Sequence, residues 1–200
     1  MDSMVTTIDL IRHGEPEGGR MYRGQKDDPL SERGWHQMRE ATEGCAHWER
    51  VVSSPLRRCA HFAQEFADRR GLPLQIEEQF REISFGAWEG KSPTQLEAVD
   101  PDGMRAFWSD PVLHWPEGAE PFDAFQRRIA AAWDRLLQDN AGYHTLLVAH
   151  GGVIRAILFH VLGVPAKNFF RIQVPYASIS RFRADGDGFY PHLVFHSGQP

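Results

Sequence analysis

Thr145-Leu146-Leu147-Val148-Ala149-His150-Gly151-Gly152-Val153-Ile154-Arg155-Ala156-Ile157-Leu158 decides the fold. Its first five residues form a short, unbroken apolar run, which reads as a strand buried on both faces. His150-Gly151-Gly152 ends that strand, and Val153 to Leu162 reads as a helix stopped by Gly163 and Pro165. The same pattern recurs near the N-terminus, where Val5 to Ile11 is a buried strand ending at Arg12-His13-Gly14. Val51-Val52 is a further strand, closed by Ser53-Ser54-Pro55. Ser54 suits the cap of the next helix and Pro55 its first turn. That helix carries Leu56, Ala60, Ala63, Phe66 and Ala67 on one side and stops at Gly71. Leu74 to Ile76 is another strand, Ser31 caps a helix running to about Ala46, and Phe122 to Leu137 is helical. Ile172 to Phe182 and Tyr190 to Phe195 alternate like strands joined by an Asp185-Gly186-Asp187-Gly188 turn. Strands alternating with helices predict an α/β three-layer αβα sandwich: a mostly parallel sheet, helices on both faces, antiparallel additions near the end.

A chain of 200 residues fits one domain over 1–200. Between about Phe80 and Glu120, prolines and glycines mix with Trp88, Trp108 and Trp115, which suggests short helices in an excursion covering the sheet. The net charge of −5 argues against a nucleic-acid partner. Cys45 and Cys59 are too few for a disulfide framework and lack metal-ligand spacing. No apolar run approaches the roughly 18 residues of a membrane span. The first residues, with Asp2 and Asp9, lack a basic leader, so the expectation is a soluble cytoplasmic protein. A homodimer is compatible with the sequence, which does not fix the oligomeric state.

Ligands of an open α/β sheet bind outside the carboxyl ends of the strands. The polar punctuation falls at those ends, so Arg12, His13, Arg57, Glu82 and His150 are expected to meet in one crevice. Glycines beside both histidines, Gly151 among them, let backbone approach a ligand closely. Arginine forks match phosphate oxygens. Histidine attacks phosphorus as a nucleophile, and a carboxylic acid protonates the departing oxygen. Arg12, Arg57 and a protonated His150 would neutralise the phosphoryl group without a metal. His13, His150 and Glu82 also compose a two-histidine, one-carboxylate metal set, but the adjacent arginines repel a divalent cation. A non-catalytic phosphate-binding protein is the alternative from another class.

Leu10-Ile11-Arg12-His13-Gly14-Glu15 resembles the signature of the histidine phosphatase superfamily, which includes phosphoglycerate mutases. Asp28-Pro29-Leu30-Ser31-Glu32-Arg33-Gly34, Ser53-Ser54-Pro55-Leu56-Arg57-Arg58, Arg81-Glu82 to Gly90, and Ala149-His150-Gly151-Gly152-Val153-Ile154-Arg155 resemble its further motifs, in order. Short length and the Phe85-Gly86-x-Trp88-Glu89-Gly90 run are most like α-ribazole phosphatases of the cobalamin pathway. The resemblance implies His13 as phosphorylated nucleophile, Glu82 as proton donor, and Arg12, Arg57 and His150 as phosphoryl ligands. It implies a small phosphate ester as partner and no cofactor. Pro16 and Gly19 stand where the family often has hydrogen-bond donors, so Arg23 or backbone amides would substitute. The short excursion favours hydrolysis over mutase transfer. A tryptophan of that excursion is a candidate platform for an aromatic leaving group, and a broad-specificity phosphatase is a further alternative.

Overall fold

A computed structural model describes residues 5–45, 47–185 and 190–198. Six strands form one sheet: β1 (Val5–Arg12), β2 (Arg50–Ser53), β3 (Leu74–Ile76), β4 (His144–Ala149), β5 (Ile179–Asp185) and β6 (His192–Gly198). They lie in the order β3-β2-β4-β1-β5-β6. The first four in that order are parallel, and β5 and β6 are antiparallel additions. Helices α1 (Glu32–Thr42) and α2 (Arg57–Arg70) cover one face; α5 (Phe122–Asp139) and α6 (Gly151–Leu162) cover the other. The residue alternation of β4 explains the two cores. Leu147 and Ala149 pack toward α5 and α6, while Leu146 and Val148 pack toward α2. The expected α/β sandwich with a mostly parallel sheet is the observed fold.

In central β1, Ile8, Leu10 and Ile11 are fully buried, and so is the charged Asp9 among them. Its carboxylate accepts from Trp48 Nε1 at 2.8 Å and from Arg181 Nε at 2.8 Å, and His144 Nε2 lies 2.9 Å away. Those partners make a charge tolerable where strand patterning calls for an apolar residue.

Register then delivers the polar residues to one edge. Arg12 pairs with Ala149 at the carboxyl ends of β1 and β4. Hydrogen bonding continues past the strands: His13 N–H donates to Ala149 O, Ser54 N–H to Val148 O, and Glu77 N–H to Ser53 O. The loops leaving β1, β2 and β3 are thus fixed by the neighbouring strand before they diverge.

Several boundaries differ from the expectation. Helix α1 ends at Thr42, because Gly44 at φ +76° turns the chain away. Ser54 does not cap α2, whose first residue is Arg57 after Leu56. Ile172 to Ser178 is not strand; Pro175 and a left-handed Ala177 break it, and β5 begins at Ile179. Most of the expected Asp185-Gly186-Asp187-Gly188 turn lies outside the described residues. Within the excursion, α3 (Pro93–Val99) and α4 (Pro101–Ser109) are joined at Asp100, whose carboxylate accepts from Gly103 N–H at 2.8 Å. Phe107 of α4 is fully buried among Trp88, Trp115 and Phe170, so two of its tryptophans serve a local aromatic core. Among the described residues, no helix is long and apolar enough to cross a membrane.

Candidate active site

His13 is 5 % exposed, directly after β1. Its Nδ1 lies 2.8 Å from the carbonyl of Gly14, which can only accept, so Nδ1 carries the proton. The neutral ring therefore has its lone pair on Nε2. Gly14 is obligatory here, since a Cβ would sit 2.2 Å from the backbone oxygen of Gly34. Gly34 in turn excludes a Cβ, which would lie 2.1 Å from Glu15 O. Two glycines in contact explain why the Arg12-His13-Gly14 turn and the start of α1 belong to one unit.

His150 follows β4 and is fully buried, its ring centroid 5.2 Å from that of His13. Its Nε2 is 2.6 Å from Ser54 Oγ, and Cys59 Sγ packs 3.6 Å from the same nitrogen. Burial holds both histidines well below the usual imidazole range, and the positive charge of Arg58 adds to the effect on each. Without an anion beside it, the His150 ring is therefore held toward its neutral form.

A cavity of about 160 Å³ opens over His13. Arg12, Arg23, Arg58, Glu82, Gly151, Gly152 and Arg155 line it, with Tyr22, Phe85, Phe169, Phe170 and Tyr176 among its aromatic walls. Arg57 does not. Its side chain is exposed, whereas Arg58 is 1 % exposed. Helix geometry is the reason: Arg58, Phe62 and Phe66 share the buried stripe of α2, and Arg57 sits a hundred degrees around it. Arg58 Nη1 and Nη2 donate to the carbonyls of Lys26 and Gly24. Arg12 Nη1 donates to Val174 O, and its guanidinium lies 4.1 Å from the Tyr176 ring centre. The Nε of each arginine is buried without a partner. None of the ion pairs among the described residues includes Arg12, Arg58 or Arg155.

Arg23 is lining, but largely engaged. Its Nε donates to Asp28 at 2.9 Å and its Nη2 to the carbonyls of Glu17 and Gly19. It holds together the loop in which Pro16 and Gly19 lack side-chain donors. Glu82 is positioned by backbone on both sides: Ile83 N–H donates to Oε1 and Gly152 N–H to Oε2, each at 3.0 Å. A Cβ at Gly152 would come within 2.3 Å of Oε1. The Glu82 carbonyl accepts from Gln25 Nε2 and from Arg128 Nη2 of α5. Glu89 latches the first loop to the acid loop, accepting from Gln25 N–H, Phe85 N–H and Ser84 Oγ. Among the described residues, no three histidine, cysteine, aspartate or glutamate side chains are placed to share a metal ion.

Sequence reasoning missed Arg58, Arg155, Tyr176 and Ser54. The spacing of Phe62 and Phe66 projects back to residue 58 and could have found the first. Tyr176 carried no signal, because its loop looked like a strand.

This motif order is also that of a known family: the sequence matches the histidine phosphatase superfamily (branch 1) over residues 8–196. The chain belongs to the histidine phosphatase superfamily. A glucosyl-3-phosphoglycerate phosphatase of Mycolicibacterium vanbaalenii is 34% identical over 176 residues, 82% of this chain and 78% of that protein. An adenosylcobalamin/alpha-ribazole phosphatase of Salmonella typhimurium is 30% identical over 169 residues, 82% and 84% of the two chains. A Yersinia pestis protein named as a probable phosphoglycerate mutase is 32% identical over 184 residues, 86% and 82% of the two. A solved mycobacterial glucosyl-3-phosphoglycerate phosphatase superposes with a TM-score of 0.83 at 27% identity, covering 98% of this chain and all of that one. These likenesses place this histidine phosphatase among the hydrolases of the superfamily.

Proposed function

We propose that the protein hydrolyses phosphate monoesters through a phosphohistidine on His13. One observation carries this reading: Arg12 and Arg58 flank a histidine whose Nε2 is free, and neither arginine is ion-paired to a carboxylate. Cations this buried are costly without a counter-ion, and a phosphoryl dianion supplies it.

In the first step Nε2 of His13 attacks phosphorus and the ester P–O bond breaks. Protonated Glu82 gives its proton to the leaving oxygen. In the second step the Glu82 carboxylate takes a proton from water, which attacks the phosphohistidine and releases inorganic phosphate. His150, held by Ser54, hydrogen-bonds the phosphoryl group, and Arg12 and Arg58 stabilise the charge on its oxygens. The same chemistry with a second alcohol in place of water would make a mutase; the short covering segment supports water.

The choice of ester is made at the leaving-group side of the cavity. The Salmonella relative and the rings of Tyr22, Phe85 and Phe170 support α-ribazole 5′-phosphate, whose base would lie beyond the cavity. No tryptophan lines that cavity, so its aromatic walls are phenylalanine and tyrosine. A volume of about 160 Å³ is below the several hundred typical of a ligand engulfed whole, so only the phosphoryl group and the nearest atoms are enclosed. Hydrolysis of p-nitrophenyl phosphate in excess EDTA is the test. Retained activity is expected, and a strict requirement for added metal would overturn the mechanism.

A further inference from the structure

Two hydroxyl-bearing residues line the cavity over His13, Tyr22 and Tyr176, and the phosphohistidine chemistry above uses neither. The Tyr22 hydroxyl is itself buried, shut off from the open cavity, and its ring packs on Phe85, Trp88 and Phe107. Tyr176 is half-buried and stands beside the reacting groups. Its ring centre lies 4.1 Å from Arg12 Cζ and 5.9 Å from the centre of the His13 ring. The loop that carries it is tied to Arg12 at three points. Arg12 Nη1 donates to Val174 O, Arg12 N–H to Ser178 O, and Ala177 N–H to Arg12 O. Ser178 N–H and Oγ both return to Pro175 O, closing a tight turn around Tyr176. Backbone and ring together hold Tyr176 against the arginine that precedes the nucleophile.

The hydrogen-bond donors of the cavity show why a phenol is useful there. A transferring phosphoryl group spreads its charge over three equatorial oxygens. Arg12 and Arg58 bring positive charge to them, yet three of their four Nη groups already donate to backbone carbonyls. Neither substitute expected for Pro16 and Gly19 fills the need. Arg23 directs Nε to Asp28 and Nη2 to two carbonyls, and none of residues 15–20 lines the cavity. A neutral O–H beside the two guanidinium groups adds a donor without adding like charge. We propose that Tyr176 is a further catalytic residue, whose hydroxyl donates a hydrogen bond to an oxygen of the transferring phosphoryl group. The inference rests on the phosphomonoesterase reading and completes the anion site of that reading. The rival role is packing alone, in which the ring covers Arg12 and the hydroxyl is idle.

Tyr176→Phe separates the two roles, since it removes the hydroxyl and keeps the ring over Arg12. It should lower kcat/KM by about 10- to 100-fold, the range for losing one hydrogen bond to a charged group. The factor should be the same for p-nitrophenyl phosphate and for an alkyl phosphate, because the phosphoryl group is common to both. The inhibition constant of orthovanadate, whose five-coordinate adduct resembles the transition state, should rise by a similar factor. Tyr176→Leu, which removes the ring as well, should lose at least as much. In a His13→Ala background, adding Tyr176→Phe should weaken the calorimetric Kd for inorganic phosphate, which reads the contact without turnover. Wild-type kcat/KM and vanadate inhibition in Tyr176→Phe overturn the inference, as does a loss confined to the alkyl ester; both leave the phosphatase reading standing. Weakened phosphate binding in the Tyr176→Phe protein, with no ester hydrolysed by the wild type, overturns the phosphatase reading alone.

Discussion

Replacing Gly152 by alanine should separate proton donation from the rest of the chemistry. The new Cβ would lie 2.3 Å from Glu82 Oε1, and its three nearest neighbours are all atoms of the Glu82 carboxylate. Because the obstructing atom ends a flexible side chain, the carboxylate retreats instead of the helix, and the shift needed is about 1 Å. A misplacement of about 1 Å in a catalytic group can cost on the order of 10²-fold, within the roughly 10²- to 10⁴-fold that general acid catalysis supplies. The loss should depend on the leaving group. An alkyl phosphate needs its departing oxygen protonated and should lose about 10²-fold in kcat/KM. p-Nitrophenyl phosphate has a stable leaving anion and should lose less than about tenfold. Stability should hold, since alanine is favoured over glycine inside a helix by about 1 kcal/mol. The assay is steady-state kinetics on both esters beside a thermal melt. Equal losses on the two substrates at an unchanged Tm would refute the placement of Glu82 as proton donor.

The two arginines of α2 should behave oppositely: Arg58→Ala should lower kcat/KM by about 10²-fold or more, while Arg57→Ala stays within a few-fold. The reverse order would restore the sequence expectation. Stability should also depend on pH through the two buried histidines, which bind protons below about pH 6.5 when unfolded but not when folded. Unfolding free energy should therefore fall on acidification below that pH, by up to about 1.4 kcal/mol per pH unit for each histidine. Urea unfolding from pH 7.5 to 5.5 measures it. Inorganic phosphate should flatten the slope by favouring protonation, and a slope that phosphate leaves unchanged would separate these histidines from the anion site.

Much of this site is written locally in the sequence. Strands buried on both faces are recognisable as apolar runs, and the residues that end them lie at the carboxyl edge in any open parallel sheet. His13, Arg12, His150, Gly151 and Glu82 could be placed for that reason. Arg57 against Arg58 is a question of helical phase, which the start of α2 decides. Ser54 Oγ accepts from Leu56 N–H and lies 2.6 Å from His150 Nε2, but α2 itself begins only at Arg57, and its buried stripe runs through Arg58. Other features depend on tertiary contact alone. Tyr176 lines the cavity from a loop in which Ala177 takes a left-handed conformation, and no local rule foretells that at alanine. The charge state of His150 follows from surroundings drawn from α2, β1 and β4, which no single motif contains.

The central claim is that His13 carries the phosphoryl group between two half-reactions. Rapid acid-free quenching of the protein during turnover of p-nitrophenyl phosphate, followed by peptide mass spectrometry, tests it directly. The account expects a phosphoryl adduct on the imidazole of His13 that survives base, is lost in acid, and is absent from His13→Ala. An adduct on another side chain, or turnover persisting in His13→Ala at half the wild-type rate, would contradict it.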